Sequence, residues 1–351
     1  MKLSKKLRRY WKSWKASRLS KEEVHSLTLY PDHPQKKLGQ IRRELLWLCR
    51  NRKRGSYTMD STIQDYFNMG IDREGEDLRQ YVFQVEMSKT RNSKQPITCW
   101  ILRDKWVTAR YLQTYGLATT RPLFVKTPFI SQQEAIDILR NSGETRFFAK
   151  YVDMAQGKGA FPFSLKGEGF EAEGKDISAT ELIDKLEDCI VEPYIEQHDA
   201  MKELYPHAVS SLRIITVCEN GKIEVILSFL LMGAGGTHAS NLHQGGLRLP
   251  INTNGELDEL GIRMNEERGW YKSHPDTGVV FKGFKIPFWK EAVELAIRAH
   301  KCFPKIHSVG WDIAISKDGP LIIEGNQHWI PHTFQYTNGP GRKLMEKYFL
   351  Q

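Results

Sequence analysis

Residues 310–329, GWDIAISKDGPLIIEGNQHW, restrict the fold more than any other part of the chain. Two apolar runs flank Lys317, Asp318 and Gly319, which predicts an antiparallel hairpin. With a two-residue loop, Asp318-Gly319, Ile313 stands opposite Glu324 and each face mixes apolar with charged groups. With a three-residue loop and a left-handed Gly319, the faces separate. Trp311, Ile313, Ile315, Leu321 and Ile323 then share one face, and Asp312, Glu324 and Asn326 the other. A one-residue slip flips every side chain, so the cleaner pattern is expected. It sets Asp312 directly opposite Glu324, and like charges facing each other destabilise a sheet. A hard cation held by oxygen ligands would offset that repulsion. So would a Lys or Arg paired with one carboxylate, and plain exposure of an acidic face would relieve it.

The chain of 351 residues is long enough for a large core and two or three lobes. Its five cysteines, at 49, 99, 189, 218 and 302, are widely spaced and form no CxxC or Cys/His cluster. That usage fits a reducing compartment and gives no zinc site. No run approaches the length of a membrane span, and no apolar stretch follows the N-terminal charges as in a signal peptide. A cytoplasmic protein is expected, with peripheral contact at the inner face of the membrane.

The net charge of +9 is concentrated at one end. Residues 1–54 hold 17 Lys and Arg against 4 Asp and Glu. The opening MKLSKKLRRYWKSWKASRL places Leu3, Leu7, Tyr10, Trp11 and Trp14 near one face of a helix amid Lys and Arg. Such a segment, residues 1–18, suits an anionic membrane surface. Docking on the protein's own body, a frayed cationic tail and a nucleic-acid arm are the competing readings, and the nucleic-acid arm is set aside. A second helix, about 38–53, has Leu38, Ile41, Leu45 and Leu48 at core-facing spacing. The expected organisation is a basic helical segment (1–54), a helical N-terminal domain (55–120), a first α+β lobe with a glycine loop (121–191) and a second lobe with the hairpin (192–351). From about 121 onward short strands alternate with helices, which predicts α+β or α/β.

Several further stretches carry chemistry. In TRFFAKYVDMAQGKGAFPF a strand ending near Lys150 leads into Gly157-Lys158-Gly159, where free backbone N–H groups can cradle phosphate. A hairpin with glycines needs no ligand, and no P-loop pattern is present. In CIVEPYIEQHDAM an apolar strand runs into Glu192, Pro193, Tyr194 and Ile195. Arg213 is a lone charge in the strand SSLRIITV, facing either solvent or a polar cleft. NLHQGG joins Asn241 and His243 to a glycine pair, and a loop histidine is often only bonded locally.

The order of these pieces is more specific than any one of them. Lys105 in LRDKW, Lys150, the glycine loop, the Glu192 strand end, Arg213, NLHQGG and the Asp312/Glu324/Asn326 hairpin together resemble the ATP-grasp superfamily over about residues 100–330. The nearest likeness is to the sugar-transfer associated ATP-grasp family, through QHDAMKELYPHAVSSLRIITV, NLHQGG and GWDIAI…GPLIIEGN. The resemblance implies two α+β lobes clasping ATP, preceded by a mostly helical region. It implies that Lys105 and Lys150 bind phosphates and that Gly157, Lys158 and Gly159 close over them. Glu192, Tyr194 and Ile195 would hold adenine, and Asp312, Glu324 and Asn326 would bind magnesium, two ions being expected. Arg213, Asn241 and His243 would act at the reacting groups. D-alanine ligases carry an arginine two residues before the metal aspartate. Gly310 stands there in this chain, which passes that role to Arg213 or Arg248.

The implied reaction is ATP-dependent joining of a carboxylate to an amine through an acyl phosphate, on small-molecule or sugar-linked substrates of cell-surface polysaccharide assembly. The alternative is phosphotransfer to a sugar hydroxyl.

Overall fold

The computed structural model describes residues 18–51, 53–152, 159–237, 245–264 and 267–350. The basic segment expected over 1–18 therefore lies, apart from Arg18, outside the described residues, as do Gly157, Lys158, Asn241 and His243. The chain divides into two compact units: Met1–Gln95 with Ile330–Gln351, and Pro96–Trp329.

The first unit is helical: α1 (Lys21–Leu27), α2 (Leu38–Arg50), α3 (Met59–Asn68) and α4 (Gln84–Lys94). Helix α2 turns Ile41, Leu45 and Leu48 inward at the expected spacing and stops at Asn51, earlier than expected. Helix α3 starts at a Thr58/Ser61 capping box and buries Ile63, Tyr66 and Phe67. The closing residues, which a linear reading assigns to the lobe 192–351, are bonded into this unit instead. Gln335 donates from Nε2 to Val82 O (2.7 Å) and accepts from Val82 N (3.0 Å). Arg342 grips Glu86 with two bonds of 3.0 Å each, and Tyr336 donates to Asp65 at 2.5 Å. The expected helical domain 55–120 is divided as well, since α4 belongs here and the 3₁₀ turn Ile97–Arg103 to the second unit.

The second unit is α+β with two antiparallel sheets. Its helices are α5 (Lys105–Thr114), α6 (Gln132–Asn141), α7 (Ala179–Lys185), α8 (Asp199–Leu204) and α9 (Trp289–Lys301). The first sheet takes β1 (Phe124–Val125), β2 (Arg146–Tyr151), β3 (Phe161–Lys166), β4 (Gly169–Ala172), β5 (Lys175–Ile177) and β6 (Cys189–Pro193), in the order β1-β6-β2-β3-β4-β5. Its core holds Phe147, Phe163 and Phe170 with Ile136 and Leu139 of α6 and Leu182 of α7. The second sheet takes β7 (Ser211–Glu219), β8 (Lys222–Met232), β9 (Leu247–Pro250), β10 (Gly261–Arg263), β11 (Gly269–Tyr271), β12 (Ser308–Ser316) and β13 (Gly319–Asn326), in the order β11-β10-β9-β8-β7-β12-β13. Helix α9 packs on its centre, and strand β12 is buried along its whole length.

The hairpin β12–β13 reaches the expected pairing of Asp312 with Glu324 by a different route. Ser316 pairs with Gly319, so the loop is only Lys317-Asp318, and a bulge follows between Asp312 and Ile313. The bulge inserts one residue, Ile323, and restores the register that a longer loop would have produced. Ile322 rather than Ile323 therefore joins Trp311, Ile313 and Ile315 in the core. Gly319 has φ +127°, the positive value expected of it. Two short bridges tie the first sheet's flanking segments to this hairpin. Thr120 N donates to Ile322 O (3.0 Å), and Lys317 N donates to Glu196 O (3.1 Å).

His300 on α9 is fully buried, bonded to Thr216 Oγ1 (2.7 Å) and Ile306 O (2.8 Å). Burial pushes its pKa down from 6.5 to about 4. Above pH 6.5 neither state carries the proton, and this contribution to stability is fully present. As pH falls from 6.5 to about 4 the unfolded chain takes up a proton that the folded one refuses, so stability is lost across that window. The expected loss is about 3 kcal/mol. Urea unfolding at about pH 7.5 and about pH 4.5 should show it in the wild type, and a His300→Gln variant should lack that share of the slope.

Candidate active site

Strand parity decides which side chains meet. Asp312 pairs with Arg213 on one side and Glu324 on the other, Arg213 with Phe229, and Arg248 lies opposite Leu231. Residues two apart along a strand share a face, so Glu324, Asp312, Arg213, Phe229 and Arg248 form a row across five strands. Trp311, Ile313, Leu212 and Ile214 on the opposite face go into the core beneath α9. The Arg248 guanidinium lies 5.4 Å from the Phe229 ring centroid, so both candidate arginines stand on one face. Phe229 had no signal in the sequence beyond its strand.

The repulsion between the facing carboxylates is offset by a cation of the chain itself. Arg213 grips Asp312 through Nε to Oδ1 and through Nη2 to Oδ2, the latter at 2.8 Å. Asn326 Nδ2 donates to Asp312 Oδ2 (3.3 Å) and Glu324 Oε1 (3.1 Å). Lys105, the first residue of α5, stands 3.8 Å from Glu324 Oε2 and donates to Val152 O (3.2 Å). Burial pushes Asp312 up to about 6 against the pull of Arg213. Burial acts the same way on Glu324, but Lys105, Lys150 and Arg213 together hold it below the usual carboxylate range.

Lys150 on β2 forms a 2.7 Å ion pair with Glu192 at the end of β6, and both side chains are almost fully buried. Glu192 also accepts from Thr120 Oγ1 at 2.6 Å. Thr120 is a buried contact that the sequence did not mark, since its partner lies 72 residues away. With its side chain engaged in this way, Glu192 braces the strand end. Tyr194 N donates to Arg146 O (2.9 Å), and the Tyr194 ring lies under the Arg146 guanidinium at 4.2 Å. Ile195 follows before the chain joins the hairpin through Glu196. Of the expected glycine loop, Gly159 is described. It has φ +67°, and a Cβ there would collide with the Tyr151 ring, so the position requires glycine.

Gly310 is closely surrounded: an added Cβ would stand 3.0 Å from Trp329 Cβ, 3.1 Å from Ile215 Cδ1 and 3.2 Å from Arg213 Cδ. An arginine there would have to displace Arg213. Gly310→Ala should cost about 1–3 kcal/mol and tilt Arg213 away from Asp312. Thermal unfolding reads the stability loss.

The donor set can be tested against a metal. Two carboxylates and one amide offer only oxygen ligands of the hard type. Among the described residues no three His, Cys, Asp or Glu side chains are grouped to hold a metal ion. A protein-only cage is therefore absent there, and the set fits an ion such as magnesium that takes one or two carboxylates and completes its shell from phosphate and water.

A family model described as sugar-transfer associated ATP-grasp matches residues 84–347. No curated protein matches the chain. Among solved structures, the D-alanine-D-alanine ligase from Coxiella burnetii is similar at 14% identity over 71% of this chain and 56% of that one, with a TM-score of 0.41. D-alanyl-alanine synthetase A from Vibrio cholerae gives 10% identity, 70% and 63% coverage and a TM-score of 0.42. An N5-carboxyaminoimidazole synthase from Aspergillus clavatus, solved with ADP, gives 10%, 71% and 51%, and 0.39. The chain thus spans about half to three-fifths of the length of these structures.

Proposed function

The chain belongs to the sugar-transfer associated ATP-grasp family, and from that premise we propose that it is an ATP-dependent carboxylate–amine ligase. Its substrates are a sugar acid or amino acid and an amine used in cell-surface polysaccharide assembly. The observation that carries this reading is the gathering of Arg213, bonded to Asp312 through both oxygens, of Asn326, which bridges Asp312 and Glu324, and of Lys105, 3.8 Å from Glu324, around the facing Asp312/Glu324 pair.

The substrate carboxylate attacks the γ-phosphorus of ATP, ADP leaves, and an acyl phosphate forms. The amine then attacks the acyl carbon and expels inorganic phosphate. Charge accumulates on phosphate oxygens in the first step, and preset cations stabilise it without reorganising. Lys105 and Lys150 serve the phosphates and Arg213 the transferring group. Asp312, Glu324 and Asn326 would hold magnesium, which would supply further positive charge at the phosphate oxygens. The strand end at Tyr194 and Ile195 meets adenine through backbone groups, with Glu192 bracing it. Gly157, Lys158 and Gly159 exclude water from the acyl phosphate, and Asn241 and His243 act with Arg213 at the reacting groups. The setting is the cytoplasmic face of a membrane, touched by residues 1–18. No described helix is long and apolar enough to cross it.

The test is release of ADP and free phosphate with magnesium across uronic acids, amino acids and their pairs. Turnover that needs both a carboxylate and an amine supports the ligase. Phosphorylation of a sugar alone, without free phosphate, replaces it with a kinase.

A further inference from the structure

Helix α2 has a second face that the core does not use. Its positions 39, 43, 47 and 50 fall on one stripe, and Gly39, Arg43, Trp47 and Arg50 are exposed there. Lys53, Arg54 and Tyr57 are exposed just past the helix end, and the Arg54 guanidinium lies 5.9 Å from the Trp47 ring centroid. Trp47 is 41% and Tyr57 67% exposed, large values for such residues in a folded unit. Residues 37–57 hold seven Lys and Arg and one carboxylate, Glu44. Glu44 is turned inward, accepting from Lys36 Nζ (2.9 Å), Gln40 Nε2 (3.1 Å) and Tyr66 OH (2.5 Å). The outward stripe is therefore cationic and carries Trp47, with a second exposed aromatic side chain, Tyr57, following the helix, and the next carboxylate in the sequence is Asp60, in the first turn of α3.

We propose that this face, carried by Arg43, Trp47, Arg50, Lys53, Arg54 and Tyr57, docks on an anionic phospholipid bilayer. The charge is complementary to acidic headgroups, and Trp and Tyr are the side chains that settle at the headgroup level. The apolar stripe of α2 is already buried in its own unit, so the helix lies on the bilayer without inserting. Contact is then electrostatic, weakened by salt, and additive with any contribution of the basic residues 1–17. The proposal uses none of the residues of the proposed ligase site, so it stands whether or not the ligase reading does.

Flotation of the full-length protein with vesicles tests it. Wild type should bind phosphatidylcholine vesicles with about one-third phosphatidylserine, and phosphatidylcholine alone only weakly. The combined variant Arg43→Glu, Arg50→Glu, Arg54→Glu should bind about tenfold less or weaker still, with melting temperature and ATP turnover in solution unchanged. Trp47→Ala should show a smaller loss. Should the reversed variant fail to fold, replacing the same three residues by Gln gives the same readout. Equal vesicle binding by variant and wild type overturns the proposal. So does a variant that loses binding to a poly(U) RNA while keeping the vesicles, which would make the face a nucleic-acid surface.

Discussion

Asp312→Asn should abolish turnover, lowering kcat for ATP consumption by about a thousandfold or more. The side chain sits among Arg213, Asn326 and Glu324, and its carboxylate is bonded to Arg213 through both oxygens. Asparagine keeps the volume and removes the charge, so the strand can still pair while Arg213 loses its anionic partner. Two consequences follow from that loss. On the proposed reading the site holds one fewer hard anionic ligand, so magnesium should be needed at higher concentration. Arg213 is also no longer fixed in the row of side chains that, on the proposed reading, meets the phosphates. Steady-state kinetics across a magnesium series, with thermal unfolding as the control for folding, separates these effects from collapse of the sheet.

Lys150→Ala should destabilise the second unit strongly, by about 3–5 kcal/mol, because removing one partner of a buried ion pair strands the other. Glu192 would keep only the Thr120 hydroxyl of its present partners. On the proposed reading Lys150 also serves the phosphates, so the KM for ATP should rise. Replacing both partners, Lys150→Met with Glu192→Leu, should recover much of the stability while activity stays low, since apolar replacement of a buried pair is often close to neutral. Urea unfolding of the two single variants and the double variant gives the coupling directly. Additive losses would mean that the pair is not an energetic unit.

The sequence carried the pairing of Asp312 with Glu324 because strand periodicity and a turn glycine are local signals. It did not distinguish a three-residue loop from a two-residue loop with a bulge at Ile323. Each adds one residue to the same strand, and the two give the same register beyond it. Arg213 read only as a charge facing solvent or a cleft, because its partner Asp312 lies 99 residues away. The engagement of Glu192 by Lys150 and Thr120 was hidden for the same reason. So was the docking of Gln335 on Val82, across 253 residues, which takes the C-terminal segment into the helical unit. The inward faces of α2 and α3 were legible as spacing. The absence of outward carboxylates on α2 was not, since it depends on where the Glu44 side chain turns.

The most direct test of the ligase reading uses a carboxylate substrate labelled with oxygen-18 in both oxygens, together with ATP, magnesium and the amine. Attack of that carboxylate on the γ-phosphorus leaves one labelled oxygen bridging carbon and phosphorus in the acyl phosphate. Displacement by the amine then carries it into the released phosphate. The account predicts one labelled oxygen per phosphate, formed in step with the amide. Released phosphate without the label, or a phosphorylated sugar in place of free phosphate, would contradict it.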